Sequence, residues 1–229
     1  MLTRRHAVFI LNYVAGWIDA VGFLALVGSV QAFPSFMSGN STKVVTDLVS
    51  GHFSPARLIG GVVLIFIAGT IVTRLINDGS RRRETAALAI VAVVLAAATA
   101  GAGLAWSGYI VLLLLACGMG MINRAIQGSN GLTVHTFVSG AVVTIGSDIA
   151  DALSGRGTWK QILLPLGIWV TILFGAACGG LLTVEVGPVA ALGVPVGLVA
   201  FLALADGAGW LESASEPKDG HTDAIEAHG

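Results

Sequence analysis

Six long apolar segments, separated by short polar stretches, make up most of the chain. A helix needs about 20 apolar residues to cross the hydrocarbon core of a bilayer, and all six segments reach or approach that length. They cover residues 7–29, 57–77, 85–106, 109–126, 161–183 and 188–206. The pattern predicts an all-α integral membrane protein with six transmembrane helices.

Two further segments, residues 38–51 and 139–155, are more polar but are also expected to be helical. Each begins with a Ser-Gly pair and ends with glycine. Serine commonly caps the start of a helix and glycine commonly follows its end. A helix of about 14 residues is only about 21 Å long, which is too short to cross. We therefore expect two short, polar, re-entrant helices.

The overall composition agrees with a location in the membrane. Hydrophobic residues make up 55% of the chain, charged residues make up 11%, and the mean hydropathy is +0.86. A soluble domain carries roughly a quarter charged residues. These values exclude most soluble enzymes and any nucleic-acid-binding module built on a basic stripe. We therefore expect the lipid bilayer to surround most of the chain.

The placement of the basic residues orients the spans. Arg4 and Arg5 precede the first span, and loops that carry positive charge stay in the cytoplasm. If segment 38–51 does not cross, the cluster Arg81-Arg82-Arg83 also lies in the cytoplasm. We therefore expect both termini in the cytoplasm. The first short helix would then enter from the outer side and the second from the inner side.

The last residues differ from the rest of the chain. Segment 206–229 contains six acidic residues and one basic residue, among many Gly and Ser residues. Such a composition cannot bury enough apolar surface to fold. We expect a membrane domain over residues 1–205 and a disordered acidic tail over residues 206–229 in the cytoplasm.

An internal repeat relates the two halves, residues 7–106 and 109–205. Each half has the order span, short helix, span, span. Because three crossings invert the second half, the order predicts a 3+3 inverted repeat, with a site between the halves. Chance similarity between two apolar, glycine-rich halves is the alternative. The matching residues are Phe36-Met37-Ser38-Gly39 with Phe137-Val138-Ser139-Gly140, Asp47 with Asp148, and Gly16-Trp17-Ile18-Asp19 with Gly120-Met121-Ile122-Asn123.

The same motifs resemble those of the YoaK-like family of bacterial inner-membrane proteins. That family carries a G-[YW]-x-D-A-x-G-[FY] stretch followed by an aromatic-x-TGN motif, and later a G-M-Q-N stretch and a T-x-V-TG motif. The corresponding segments here are 16–23, 36–40, 118–123 and 136–140, and the resemblance covers residues 7–205. It implies a location in the bacterial inner membrane and leaves the substrate open.

This chain departs from the family motifs at two kinds of position. Ser38 and Ser139 replace the usual threonine and keep a hydroxyl group. Met121 replaces a glutamine, which removes a polar group from the second half.

Asp19 is the main functional candidate, because an ionisable group within a span is costly and commonly faces the bundle interior. Asn123 is its counterpart in the second half. The alternative is a structural role, in which the carboxylate joins two helices through hydrogen bonds to backbone or to a group such as Arg124.

The starts of the two short helices are the second candidate site. The residues before them read as extended, so free backbone N–H groups and the positive end of each helix dipole would face the protein interior. Such starts could bind a polar or anionic solute. Alternatively, Gly39 and Gly140 serve only in close helix packing. With Asp19 and its counterpart, the candidate substrate-binding residues are Asp19, Phe36, Ser38, Gly39, Asn40, Asn123, Phe137, Ser139 and Gly140.

Charged residues on the short helices could couple ions or protons to transport. Lys43 and Asp47 are spaced to pair along one helix, and Asp148 lies in the second helix. A solvated helix end explains these residues equally well. No motif for catalysis, for a metal or for a cofactor is found, so we do not expect an enzyme.

Together these features favour a transporter or channel for a small polar solute. Because a 23.3 kDa chain can barely surround a pathway, we expect a homodimer. The alternative is a membrane scaffold that does not transport and whose acidic tail recruits a partner.

Overall fold

The computed structural model describes residues 2–26, 31–126 and 138–211, and these residues form eight α-helices. A single π-helical turn, Gly22–Leu26, extends the first helix. The helices are α1 Arg4–Val21, α2 Met37–Val49, α3 Phe53–Ile76, α4 Arg81–Gly103, α5 Gly108–Ala125, α6 Val138–Leu153, α7 Leu163–Val186 and α8 Pro188–Gly207.

Six of the helices are long and apolar enough to cross a membrane, as the sequence predicts. They are α1 with its π-helical turn, α3, α4, α5, α7 and α8. Many of their large apolar side chains lie on the outside of the bundle; Leu173, Phe174 and Leu181 of α7 are examples. Lipid can cover such a surface at no cost, because acyl chains are as apolar as these side chains.

The long helices associate in three pairs: α1 with α7, α3 with α5, and α4 with α8. Leu11, Leu88, Leu115 and Leu202 belong to a buried core built from α1, α4, α5 and α8. The first two pairs are parallel, because residues further along one helix contact residues further along the other.

Glycines bring the backbones of α1 and α7 into contact. Gly16 lies against the carbonyl group of Ile172, and Gly175 lies against the carbonyl group of Tyr13. A Cβ atom at either glycine would collide with that carbonyl oxygen. Small residues allow this close approach where no hydrophobic effect drives helices together.

The pair formed by α3 and α5 uses the same device. Gly120 lies against the carbonyl group of Phe66, and Gly69 lies against the carbonyl group of Cys117. The hydroxyl group of Thr70 also donates to the carbonyl oxygen of Gly120, at 3.1 Å. Each half of the chain therefore contributes one helix to each of the two close pairs.

The two short helices form where the sequence predicts them, but their first turns differ from the prediction. Phe36 precedes α2 and makes no side-chain cap, so Ser38 lies inside the helix and is not its cap. Ser139 likewise lies inside α6. Gly51 and Gly155, which follow the helix ends, have positive φ angles of 79° and 73°. That backbone conformation favours glycine and explains why each helix stops there.

One end of the bundle is held by a buried ion pair and by hydrogen bonds that join α4 to its neighbours. Arg4 of α1 pairs with Glu84 at 2.5 Å. Arg81 donates to the backbone oxygen of Asp206, and the hydroxyl group of Thr85 donates to the Asp206 carboxylate. Asp206 is therefore buried within α8.

The position of Asp206 corrects the predicted domain boundary. The chain stays packed beyond α8 as far as Leu211, because the N–H group of Leu2 donates to the carbonyl oxygen of Trp210 at 2.8 Å. A boundary between residues 205 and 206 is thus several residues too early. The rest of the predicted acidic tail, residues 212–229, lies outside the described residues.

Candidate functional site

Asp19 holds the chain segment that leads into α2. Its Oδ1 atom accepts a hydrogen bond from the backbone N–H group of Ser35 at 2.7 Å, and its Oδ2 atom accepts one from the Ser35 hydroxyl group at 2.6 Å. Asp19 lies 15 residues after Arg4, or about 22 Å along the helix. The carboxyl group thus lies well inside the span and contacts a buried serine.

Arg124 is not the partner of Asp19. Its side chain is exposed, and its backbone oxygen accepts a hydrogen bond from Asn77, beside the end of α3. That end of the bundle lies away from Ser35. Of the two kinds of partner that the structural alternative named for Asp19, the carboxyl group binds backbone and not Arg124.

Asn40 fixes the same leading segment from the other side. Its Oδ1 atom accepts from the N–H group of Phe33 at 3.1 Å, and its Nδ2 atom donates to the carbonyl oxygen of Phe33 at 2.6 Å. The ring of Phe33 stacks on Phe23, with centroids 4.9 Å apart, and meets Phe36 edge to face. The segment 33–36 is thus bound at its backbone by one acidic and one amide side chain.

A cavity of about 270 Å³ opens beside Asp19. Its walls come from α1, the segment before α2, the first residues of α6, and α7. Most of the lining is apolar, and Asp19 is the one charged side chain among the described lining residues. These are Ala15, Gly16, Asp19, Phe33, Ser35, Phe36, Val138, Ser139, Ile172 and Ala176.

Three of the predicted site residues line this cavity: Asp19, Phe36 and Ser139. The starts of both short helices therefore border the same space, one from each half of the chain. Phe137 lies outside the described residues.

Four other predicted substrate-binding residues do not line the cavity. Asn40 is buried against Phe33, and a Cβ atom at Gly39 would collide with the ring of Phe36. Ser38 and Gly140 are exposed, and nothing described lies within 4 Å of a Cβ atom at Gly140.

Asn123 also lies away from the cavity lining. Its Nδ2 atom donates to the carbonyl oxygen of Met119, one turn earlier in α5, at 2.8 Å. Residues 127–137, which correspond to the segment that Asp19 binds, are not described.

The candidate coupling residues are separated from the cavity. Lys43 and Asp47 pair at 3.2 Å, as their spacing predicts, and His52 lies 4.0 Å from Asp47. Asp148 is half-buried on α6. Within the described ranges, no three potential ligands among His, Cys, Asp and Glu come together as a metal site would require.

Three residues that shape the site are not among those predicted from the sequence. Ser35 binds both oxygens of Asp19, and Ile172 and Ala176 supply the wall from α7. A serine directly after a proline, in a segment expected to be extended, is a signal for Ser35. Nothing in the uniformly apolar sequence of α7 distinguishes Ile172 and Ala176 from residues that face lipid.

A match to a family model shows which protein family this chain belongs to. The model described as "Protein of unknown function (DUF1275)" matches residues 7–205. The chain belongs to the DUF1275 family. That range is also the one over which the sequence motifs suggested a family resemblance, and it includes all six spans except the ends of the first and last.

A relative of this DUF1275 protein supports its membrane location. The chain is 32% identical over 182 residues to the UPF0700 transmembrane protein RA0705 of Rhizobium meliloti (strain 1021). The match covers 79% of this chain and 76% of the relative. No solved structure matches the chain. This DUF1275 protein is therefore a multi-pass membrane protein with six apolar helices.

Proposed function

We propose that this protein is a transporter or channel for a small solute, which binds in the cavity beside Asp19. One observation carries the proposal: an acidic side chain and the starts of two short helices, from different halves of the chain, border one cavity between long apolar helices. Non-helical backbone is tolerated at membrane depth where it is buried in protein or lines a cavity. The segment before α2 meets that condition, because Asp19 and Asn40 satisfy its backbone groups.

The proposal includes a 3+3 inverted repeat, with α1 to α4 equivalent to α5 to α8. Exchanging the halves turns the α1–α7 pair into the α5–α3 pair and leaves the α4–α8 pair unchanged. The glycine contacts support the same exchange. Gly16 and Gly120 match in the sequence repeat, and each lies against a carbonyl group of the third helix in the opposite half. In this arrangement, α2 and α6 are re-entrant helices, entering from opposite sides.

The lining favours a small solute that is neutral or positively charged. The volume of about 270 Å³ is slightly below the range of about 300–1,000 Å³ for ligand pockets, so only a small solute fits. The described lining contains one acid and no base, so an anion would meet no positively charged side chain. The rings of Phe33 and Phe36 suit an apolar or cationic group. An anionic solute, which the helix starts alone would suggest, is thus less favoured.

The basic residues orient the proposed pathway. Arg4, Arg5, Arg81 and Lys160 lie at one end of the bundle, and by the positive-inside rule this end faces the cytoplasm of a bacterial inner membrane. Both termini then lie in the cytoplasm. Two copies form the functional unit, because one chain of 23.3 kDa barely surrounds a pathway.

Solute flux into proteoliposomes tests the proposal. The panel contains urea, methylammonium and formate, which represent neutral, cationic and anionic solutes. We expect flux of urea or methylammonium above that of empty liposomes. Flux equal to that of empty liposomes for the whole panel would contradict transport of these classes and would favour a scaffold.

Three substitutions test whether the solute passes through the cavity beside Asp19. Ser139→Leu inserts a side chain into the cavity and should remove most of the flux. Ser147→Leu, on an exposed position of the same helix, is the matched control and should leave flux unchanged. Asp19→Asn removes the charge at nearly constant size and should lower methylammonium flux relative to urea flux. Equal effects of both leucine variants would place the pathway elsewhere.

A further inference from the structure

A second cavity opens on the outside of the bundle, where the start of α1 approaches the start of α7. Its volume is about 460 Å³, and it is separate from the cavity beside Asp19. It lies at the end of the bundle that carries the Arg4–Glu84 pair, because Arg5 is the next residue along α1. The described lining residues are Arg5, Phe9, Lys160, Gln161, Leu163 and Leu164.

Two basic side chains from different elements converge on this cavity. Arg5 belongs to α1, and Lys160 precedes α7 by three residues. Both are exposed, and neither forms an ion pair within the described residues. Of the two acids on the preceding helix, Asp151 is paired with Arg156 at 3.0 Å, and neither Asp148 nor Asp151 lines the cavity. The described lining therefore carries two basic side chains and no acid.

Apolar side chains continue the cavity along the spans. Phe9 lies one helical turn after Arg5, and its ring packs against Gly167 of α7. Leu163, in the first turn of α7, is 66% exposed. The charged groups thus lie at the end of the two membrane-spanning helices, and the apolar groups lie on the side toward the hydrocarbon core. This is the order of groups in a phospholipid that stands in the bilayer.

We propose that this cavity binds an anionic phospholipid. The phosphate group lies between Arg5 and Lys160, and one acyl chain covers Phe9 and Leu163. Guanidinium and ammonium groups bind phosphate through charge-assisted hydrogen bonds. Basic pockets between transmembrane helices at the cytoplasmic surface recognise anionic headgroups in this way. The apolar part of the cavity favours a lipid over free phosphate, which would leave Phe9 and Leu163 in contact with water.

Retention of phosphatidylglycerol by the full-length protein tests this site. The purified protein in detergent is mixed with phosphatidylglycerol, and the bound lipid is counted by native mass spectrometry. We expect the wild type to retain the lipid and the variant R5Q/K160Q to lose most of it. The matched control R82Q/R124Q removes two exposed basic residues from the same end of the bundle but outside the cavity. It should retain lipid as the wild type does.

Three results would overturn the proposal. Retention by R5Q/K160Q equal to that of the wild type would show that the two residues do not bind lipid. Equal loss of bound lipid from both double variants would show that the lipid is attracted only by the net charge of this end of the bundle. Displacement of the lipid by glycerol 3-phosphate at the same concentration would show a site for a soluble phosphate. Thermal unfolding adds an independent readout: phosphatidylglycerol should raise the Tm of the wild type and of the control, but not that of R5Q/K160Q.

Discussion

At the scale of single residues, Asp19 and Asn40 are bound to specific partners in the segment that leads into α2. The carboxyl group of Asp19 accepts two hydrogen bonds from Ser35, and Asn40 makes two hydrogen bonds to the backbone of Phe33. A buried polar group without a partner would destabilise the fold, so each of these contacts has an energetic reason. Asp19 combines this structural role with a place in the cavity wall.

Replacing Ser35 by alanine should weaken the link between α1 and the start of α2. The variant loses the hydroxyl donor to the Asp19 carboxylate, and a hydrogen bond to a charged group contributes about 1.5–3 kcal/mol. Thermal unfolding in detergent should show a lower Tm. Ser38→Ala is the control, because Ser38 is exposed, and its Tm should stay close to that of the wild type. Equal Tm values for both variants would show that the Asp19–Ser35 contact adds no stability.

Replacing Glu84 by alanine should be more damaging. Glu84 and Arg4 are both buried, and removal of the Glu84 carboxylate breaks their ion pair; breaking a buried ion pair costs about 3–5 kcal/mol. The control is Arg83→Ala in the same helix as Glu84, which breaks an exposed ion pair with Asp78 in the loop before α4. Exposed pairs contribute little, so this variant should unfold close to the wild type. A Tm for Glu84→Ala as high as that of Arg83→Ala would refute the stabilising role of the buried pair.

At the scale of the elements, glycine contacts decide which helices pair. Gly16 and Gly120 each lie against a backbone carbonyl group of a neighbouring helix. Because lipid and side chains are equally apolar, close backbone contact replaces the hydrophobic effect as the source of specificity. Equivalent contacts in the two halves then give equivalent helix pairs.

Alanine at Gly16 or at Gly120 should destabilise the protein by similar amounts. In both variants the added Cβ atom meets a carbonyl oxygen and forces the helices apart, and such overpacking costs about 1–3 kcal/mol. Gly197→Ala in α8 is the control, because no atom of the described residues lies within 4 Å of its Cβ position. Its Tm should equal or exceed that of the wild type. A neutral effect at one of the two contact glycines would contradict their equivalence.

The elements themselves could be predicted from the sequence, whereas their caps and partners could not. The length of each apolar segment predicts a span directly, and the glycines at residues 51 and 155 mark where the short helices end. The expectation that Ser38 caps α2 is wrong, because an extended segment held by Asp19 and Asn40 leads the chain into the helix two residues earlier, with Phe36 at the cap position. Contacts between residues that are distant in the sequence therefore determine where α2 begins.

At the scale of the whole molecule, the positions of the charged residues predict one feature of the fold correctly and another incorrectly. The basic residues predict a common end for the termini, and the ion pairs of Arg4 and Arg81 lie at that end. Asp206 was assigned to the tail because it begins an acidic stretch, yet it is buried where Arg81 and Thr85 bind it. The α7 residues that line the cavity could not be predicted from the sequence, because residues that face lipid and residues that face the cavity are equally apolar.

The proposed pathway requires that water and solute reach the cavity beside Asp19, and thiol labelling measures this access. In a background with Cys117→Ala and Cys178→Ala, single cysteines are placed at Ala176, which lines the cavity, and at its neighbour Ala177, which is exposed on the outside of the span. A charged, water-soluble reagent modifies the thiolate, which does not form in hydrocarbon. We predict that Ala176→Cys is modified in membranes and that Ala177→Cys is not. Equal lack of modification at both positions would show a dry cavity and would contradict the proposed pathway.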